Sequence, residues 1–482
     1  MDSNLGARFV DRPETMAVMS WRPWTATGRA PDCSDSARCP RPSTSHPHGD
    51  TFSTCAAARR SASMSAPRKV RTMRLSAFRP VATLILMLWF ALAHAQTQPR
   101  SDTAAATRVY VLGVDHAAQL VAKHDSPAML EAFLARSRAD AICVERTADA
   151  FARDDFYEFT YEVQDVVVPY ARAAKVELCP IDWMPSREDE LLGFGMNLSA
   201  PPELRPYRGF QQFLTFPEPA SLRRALYHAD DAANLDKVRQ WALTPAASAA
   251  KDLPRRMFLY RTFMQAQAIA RAAHARPGKT LVVVVGEFHK HDIESILKAD
   301  PRIDLRQPSS LGLPSEADIA RHGNRTQLLA IASFNLLGMQ SRTGNVDFEW
   351  MRDTLARLSA QSDDAEVQLL TTRLARLTGA IDSDQAQARY AAIANTAGDA
   401  MFTWTGVLDR DRLDSYFDPF GNLSIAQRAK VEQARELYRQ GKHPQADAVR
   451  DAVAAQLKPR QARQLRGYWT ADFLGDVDRK SE

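Results

Sequence analysis

Residues Val282–Asp292 read VVVVGEFHKHD: four valines run into Gly286, with Glu287 and His289 just beyond it. An unbroken run of β-branched residues marks a strand covered on both faces, as in a parallel sheet flanked by helices. A glycine at the end of such a strand allows a sharp turn, and the side chains after it emerge at the carboxyl end of the sheet, where open α/β folds bind ligands. Upstream, Val109–Leu120 reads VYVLGVDHAAQL, so Gly113 precedes His116 as Gly286 precedes His289. One histidine after a strand is more often a cap or a packing residue. Two in matching contexts point to one shared site.

The region around these loops alternates short apolar runs with helical patterns. Strands are expected at Arg108–Leu112, Ala141–Glu145, Val176–Pro180, Thr280–Val285 and Ile303–Leu305, and helices at Pro127–Arg138, Phe156–Ala174 and Arg255–Ala275. The pattern predicts an α/β fold over 108–314: a mainly parallel sheet flanked by helices, built from two βα halves that each carry a GxxH loop. Residues 186–250, with Pro and Gly clusters, interrupt it as an insertion or lid. Beyond Pro314 the chain turns helical, and 315–482 is read as an accessory helical region. There Val367, Leu370, Leu374 and Leu377 share a helix face, Asp363 with Glu366 suggests a capping box, and Ser424 with Gln427 a second one. Residues 434–453 resemble one tetratricopeptide unit, and a single unit makes no repeat array.

Residues 68–95 have a basic start, an apolar run from Val81 to Ala93 and an Ala-His-Ala end, the layout of a signal peptide cleaved near Ala95. The run is about 13 residues, short of the roughly 20 that cross a membrane as a helix. Residues 1–72 show no hydrophobic period and read as non-native upstream translation, with the start near Met73 or Met64, and 96–107 as a linker. The mature chain would be periplasmic or secreted, with no membrane span. Residues 1–95 hold 13 Lys and Arg against 6 Asp and Glu, which leaves 49 against 51 in the remainder. That balance carries no nucleic-acid footprint. Cys143 and Cys179 sit in strand-like runs; an exported protein can join such a pair in a disulfide, and two buried free thiols are the stronger expectation.

Ala141–Glu145, AICVE, ends on a glutamate at the same sheet edge as the two histidines. His116, Glu145 and His289 thus form a set able to hold a divalent metal or to move protons. Asp182, in CPIDW, occupies another strand end. His291 joins the set only if HKH is extended, because the two histidines diverge on a helix. Glu158 and Glu162, one turn apart, could line the site from a helix, although a solvated helix face is the stronger expectation. PGKT (Pro277–Thr280) lacks the earlier glycine of a phosphate-binding loop and is followed by a strand, and neither HExxH nor GxSxG occurs.

The pairing of GVDH and GEFH, with ICVE after the first βα unit, resembles the TraB/PrgY/GumN (TIKI-like) family, within a broader group that includes erythromycin esterase and ChaN. The resemblance covers about residues 108–305. It implies a metal-dependent, protease-like hydrolase with Mn, Co or Zn held by His116, Glu145 and His289. A metal there would lower the pKa of a bound water, leaving a carboxylate to move the proton. Glu287 is placed to do so, although members carry a small residue there. Arg261 and Met264 in YRTFM are the nearest match to an arginine and methionine before the second motif, one position off in spacing. Two further readings stay open: a non-catalytic periplasmic protein that binds a ligand or partner, and a metal-free esterase with one histidine as base and Glu145 orienting it. The substrate would be a small molecule or peptide of unknown identity, and the C-terminal helices are a candidate surface for a protein partner.

Overall fold

Five parallel strands form one sheet in the order β3-β2-β4-β1-β5, with β1 at Thr107–Val114, β2 at Ala141–Val144, β3 at Glu177–Pro180, β4 at Thr280–Gly286 and β5 at Ile303–Arg306. The computed structural model describes residues 105–194, 200–207 and 211–478. The expectations for the leader and for nearly all of the linker lie outside them.

Alternation along the strands gives the sheet two dry faces. Tyr110, Leu112, Ile142, Val144, Val282 and Val284 point into one apolar cluster, and Val109, Val111, Cys143, Leu281, Val283 and Val285 into the other. The second face is covered by helices Ala249–His274 and Glu287–Leu297 through residues such as Ile269 and Ile293. The first is covered by helix Pro127–Ser137 and by the segment ending at Ala174, and its cluster runs on without a break into helices between Arg325 and Thr396. The helical C-terminal third therefore shares its core with the sheet. Among the described residues no helix is long and apolar enough to cross a membrane.

The expected strands are all present, and the departures lie mostly in helices. The expected helix at Phe156 begins only near Glu162, as a wide π segment Glu162–Val167 that passes into Val168–Ala174. Pro169 has no N–H to donate back one turn, which accounts for the irregular ladder before it. The first GxxH loop runs into single 3-10 turns rather than a helix, because Ala117 is left-handed at φ 61. Helix Ala249–His274 starts six residues before Arg255, capped by Ser248. Asp364, not Asp363, caps helix Ala365–Leu377, while Ser424 and Gln427 form the expected box.

Cys143 and Cys179 face each other in the β2–β3 register and are joined as a disulfide, with Cα atoms 4.4 Å apart. This corrects the expectation of two free thiols. In-register neighbours on adjacent strands fall within disulfide reach, and that proximity is decided by strand order, which the separate sequence runs do not reveal.

Candidate active site

Three adjacent strands deliver the cluster. β4 lies between β2 and β1, and Val144, Val284 and Leu112 share one rung. Glu145 leaves β2 one residue later, while the two GxxH loops leave β1 after Val114 and β4 after Gly286. The side chains meet over the end of β4: His116 Nε2 is 3.8 Å from Glu145 Oε2, and His289 Nε2 is 3.6 Å from Glu145 Oε1. Gly286 is the pivot. Its N–H donates to Glu145 Oε2 at 2.6 Å, and a Cβ on it would come within 3.0 Å of His116 Nε2 and 3.3 Å of Glu145 Oε2. With φ at −51°, close approach rather than an unusual backbone conformation is what calls for glycine.

Each imidazole is held through Nδ1. His116 Nδ1 lies 2.7 Å from Glu162 Oε1, and the other oxygen of Glu162 accepts the Ala117 N–H at 3.0 Å. His289 Nδ1 lies 2.6 Å from Thr262 Oγ1, whose hydroxyl donates to the Phe258 carbonyl at 2.9 Å. Thr262 has a single O–H proton, so His289 must carry its own proton on Nδ1 and turn an unprotonated Nε2 toward Glu145. Phe258 stacks on the His289 ring at 4.5 Å, and Phe159 meets His116 edge-on at 5.3 Å.

Arg261 locks the carboxylate from the other side. Its Nη2 donates to Glu145 Oε1 at 2.7 Å, while Nε and Nη2 donate to the two oxygens of Asp182 at 2.8 and 2.7 Å. Gln265 and the Tyr157 hydroxyl also donate to Asp182, at 2.8 and 2.7 Å. Helix Ala249–His274 thus works through two i, i+4 stripes, Phe258 with Thr262 on His289 and Arg261 with Gln265 on Asp182.

Burial pushes His289 down to about 4, which keeps it neutral. Burial works against charge on His116 as well, but the charge and hydrogen bond of Glu162, with Glu145 behind them, raise it to about 9. Glu145 is desolvated, yet Arg261 and the two histidines hold it below the usual carboxylate range. The buried carboxylates Glu145, Glu162 and Asp182 face Arg261 and His116, so negative charge is in excess even with His116 protonated. Buried charge of that kind calls for a compensating cation or proton.

The structure brings His116, Glu145, His289 and Arg261 together and sets Glu287 elsewhere. Glu287 pairs with Arg224 Nη1 at 2.6 Å, and Arg224 Nε donates to Asp125 at 2.9 Å. Arg224 comes from the 186–250 insertion, so the insertion is anchored beside the loops. Asp115 belongs to that neighbouring group; burial and Glu287 raise it to about 7. His291, on helix Glu287–Leu297, turns to Asp292 at 3.0 Å and lies about one-third exposed. Glu162 is fully buried on His116, and Glu158 is ion-paired with Arg205, so neither belongs to a solvated face. A helix through 156–162 would put the two on one face, whereas the helical segment begins only at Glu162. Thr262 and Phe258 escaped notice because threonine and phenylalanine carry no site signal of their own.

The donor set is suited to a divalent ion. Two imidazole Nε2 atoms flank one carboxylate, each ring is oriented by a hydrogen bond at Nδ1, and each oxygen of Glu145 keeps a second lone pair beside its bond to Arg261 or Gly286. Among the described residues no group of three or more His, Cys, Asp and Glu meets metal-site geometry as it stands. No family model matches the chain, and no curated protein or solved structure is significantly similar to it.

Proposed function

We propose that this chain is an exported hydrolase acting through His116, Glu145 and His289 at the carboxyl end of the sheet. The observation that carries the reading is the pair of histidines, each held through Nδ1 and each turning Nε2 to a different oxygen of the same buried glutamate. The likeness of the two loops to the TraB/PrgY/GumN group supports it. The Cys143–Cys179 disulfide suits an oxidising compartment and supports export.

A divalent metal, Mn, Co or Zn, would be held by His116, Glu145 and His289 and would supply an activated water and a polarised carbonyl. Glu162 orients His116, Thr262 fixes the tautomer of His289, and Arg261 with Asp182 holds Glu145 in place. A second, metal-free reading is favoured by one observation, the seat of His116 between two carboxylates, with Nδ1 2.7 Å from Glu162 and Nε2 3.8 Å from Glu145, an arrangement that favours its protonated form. In that reading His116 Nε2–H gives a proton to the leaving group and Glu145 takes one from the attacking water.

Metal analysis of purified protein separates the readings, beside His116→Ala and His289→Ala variants with folding checked by circular dichroism. About one divalent ion per chain, lost in both folded variants, together with hydrolysis of members of an amide and ester panel, is the expected result. Hydrolysis without metal, abolished in both variants, selects the second reading. No hydrolysis under any metal condition leaves a binding protein as the better account.

A further inference from the structure

Arg261 grips its two carboxylates with only two of its three nitrogens. Nε and Nη2 hold the two oxygens of Asp182, and Nη2 also reaches Glu145 Oε1 at 2.7 Å. Nη1 makes no hydrogen bond among the described residues, and it is open to solvent. Other buried guanidiniums differ. Arg224 and Arg428 engage all three nitrogens, and the unpartnered Nη1 atoms of Arg205 and Arg412 are sealed inside the protein. Arg261 is therefore left with two hydrogens to donate at the edge of the site.

The shape of a guanidinium says where they lie. The group is planar, so the Nη1 hydrogen nearest Nη2 runs parallel to the N–H with which Nη2 meets Glu145. An oxygen accepted there sits beside Glu145 Oε1, which His289 Nε2 faces at 3.6 Å. Access agrees with this. His116 and Arg261 keep 13% and 16% of their side chains exposed, whereas Glu145, His289 and Asp182 keep 5% or less. A molecule arriving from solvent thus meets the cluster at His116 and Arg261.

We infer that Arg261 is a catalytic residue as well as a clamp: its Nη1 donates to the carbonyl oxygen of the amide or ester that is cut. The inference rests on the hydrolase reading. Water's oxygen bonds to the carbonyl carbon, the C=O π pair moves onto the carbonyl oxygen, and Nη1 holds the charge that appears there. The pair then returns, the C–N or C–O bond breaks, and the departing nitrogen or oxygen takes the proton that the water gave up to the site. A donor already fixed by two carboxylates needs no reorganisation as that charge develops. The excess of buried carboxylates disfavours a ligand that arrives as an anion and suits an oxygen that is neutral until water adds.

The test exploits sulfur, which accepts hydrogen bonds weakly. Each amide or ester of the panel that wild type cleaves, phenyl acetate among those tried, is paired with its analogue carrying C=S in place of C=O. Rates on each pair are compared in wild type, Arg261→Lys and Arg261→Gln, with folding checked by circular dichroism. If Arg261 only holds Glu145, both members of a pair slow alike and their ratio stays. The expected result is a fall of about 100–1000-fold in kcat on the C=O substrate with KM little changed, and a C=O to C=S rate ratio at least about tenfold below that of wild type. An unchanged ratio in the folded variants overturns the catalytic role and leaves the clamp. Should neither variant fold, wild type decides: a ratio no larger than that of the uncatalysed reaction rejects the role, and one at least about tenfold larger upholds it. Failure of wild type to cleave any member of the panel sinks the hydrolase reading and the role together.

Discussion

Two regions of this molecule bury clusters of charge, and they are built differently. In the C-terminal third, Glu432 is held by Arg428 at 2.9 Å, Arg435 at 3.0 Å and Arg373 at 3.5 Å, while Asp418 pairs with Arg428. Backbone carbonyls complete it: Leu337 accepts from Arg428 at 2.7 Å and Leu336 from Arg373 at 3.0 Å. Positive charge surrounds a central carboxylate: Arg428 and Arg435 lie on Glu432's own helix, Ile425–Arg439, and Arg373 comes from helix Ala365–Leu377. At the sheet end the sign is reversed. Carboxylates predominate, two histidines turn Nε2 toward one of them, and His116, Glu145, Asp182 and His289 sit just past strands, with Arg261 on helix Ala249–His274 and Glu162 on the π segment Glu162–Val167. Burial and charge are common to both regions, so neither nominates a site. Position at the carboxyl edge, an unprotonated Nε2 and negative charge in excess do.

Four variants at three places sharpen this contrast, the places taken from the largest expected effect to the smallest. Glu432→Ala leaves three guanidiniums without their common partner and is expected to cost about 3–5 kcal/mol in urea unfolding, with metal content and turnover of the folded protein unchanged. A loss of function at full stability would break the division drawn above. Burial works to raise Glu432, but Arg435, Arg373 and Arg428 outweigh it and hold it well below its ordinary value. Its contribution is therefore fully present above the unfolded carboxylate pKa of about 4.3 and is lost as pH falls below that value. Glu432→Gln should accordingly flatten the acid limb of the stability profile.

The disulfide lies beneath the other region, two residues before Glu145 and three before Asp182. Cys143→Ser with Cys179→Ser is expected to cost about 2–4 kcal/mol in the same unfolding measurement. It should also weaken the site, because β2 and β3 carry the two acids that Arg261 must grip together. Unchanged turnover in the folded double variant would confine the bond to stability. Glu162→Gln keeps the shape of the side chain and removes its charge from His116. A loss of about 10–100-fold in metal affinity or turnover, with little change in the urea midpoint, is expected of a group that orients a site histidine. Destabilisation without functional loss would move Glu162 into the class of Glu432.

The five strands, their parallel direction in an α/β sheet and the convergence of His116, Glu145 and His289 were legible in the chain, whereas Arg261 entered only through the family resemblance, one position off in spacing. These features rest on local signals: unbroken apolar runs decide strands, and the residues that follow a strand are carried to its carboxyl edge whatever lies elsewhere. Only the tertiary structure decided the rest. Whether Glu162 is solvated or buried on His116, whether Thr262 fixes a tautomer, whether Cys143 meets Cys179, and whether Glu287 faces Glu145 or Arg224 all depend on groups 27 to 63 residues apart or farther. Such pairings follow from strand order and helix packing, because the desolvation of a buried charge selects its partner only after the core has brought candidates within reach. Local periodicity places each element and the face it buries, and it carries no record of which distant side chain will be waiting there.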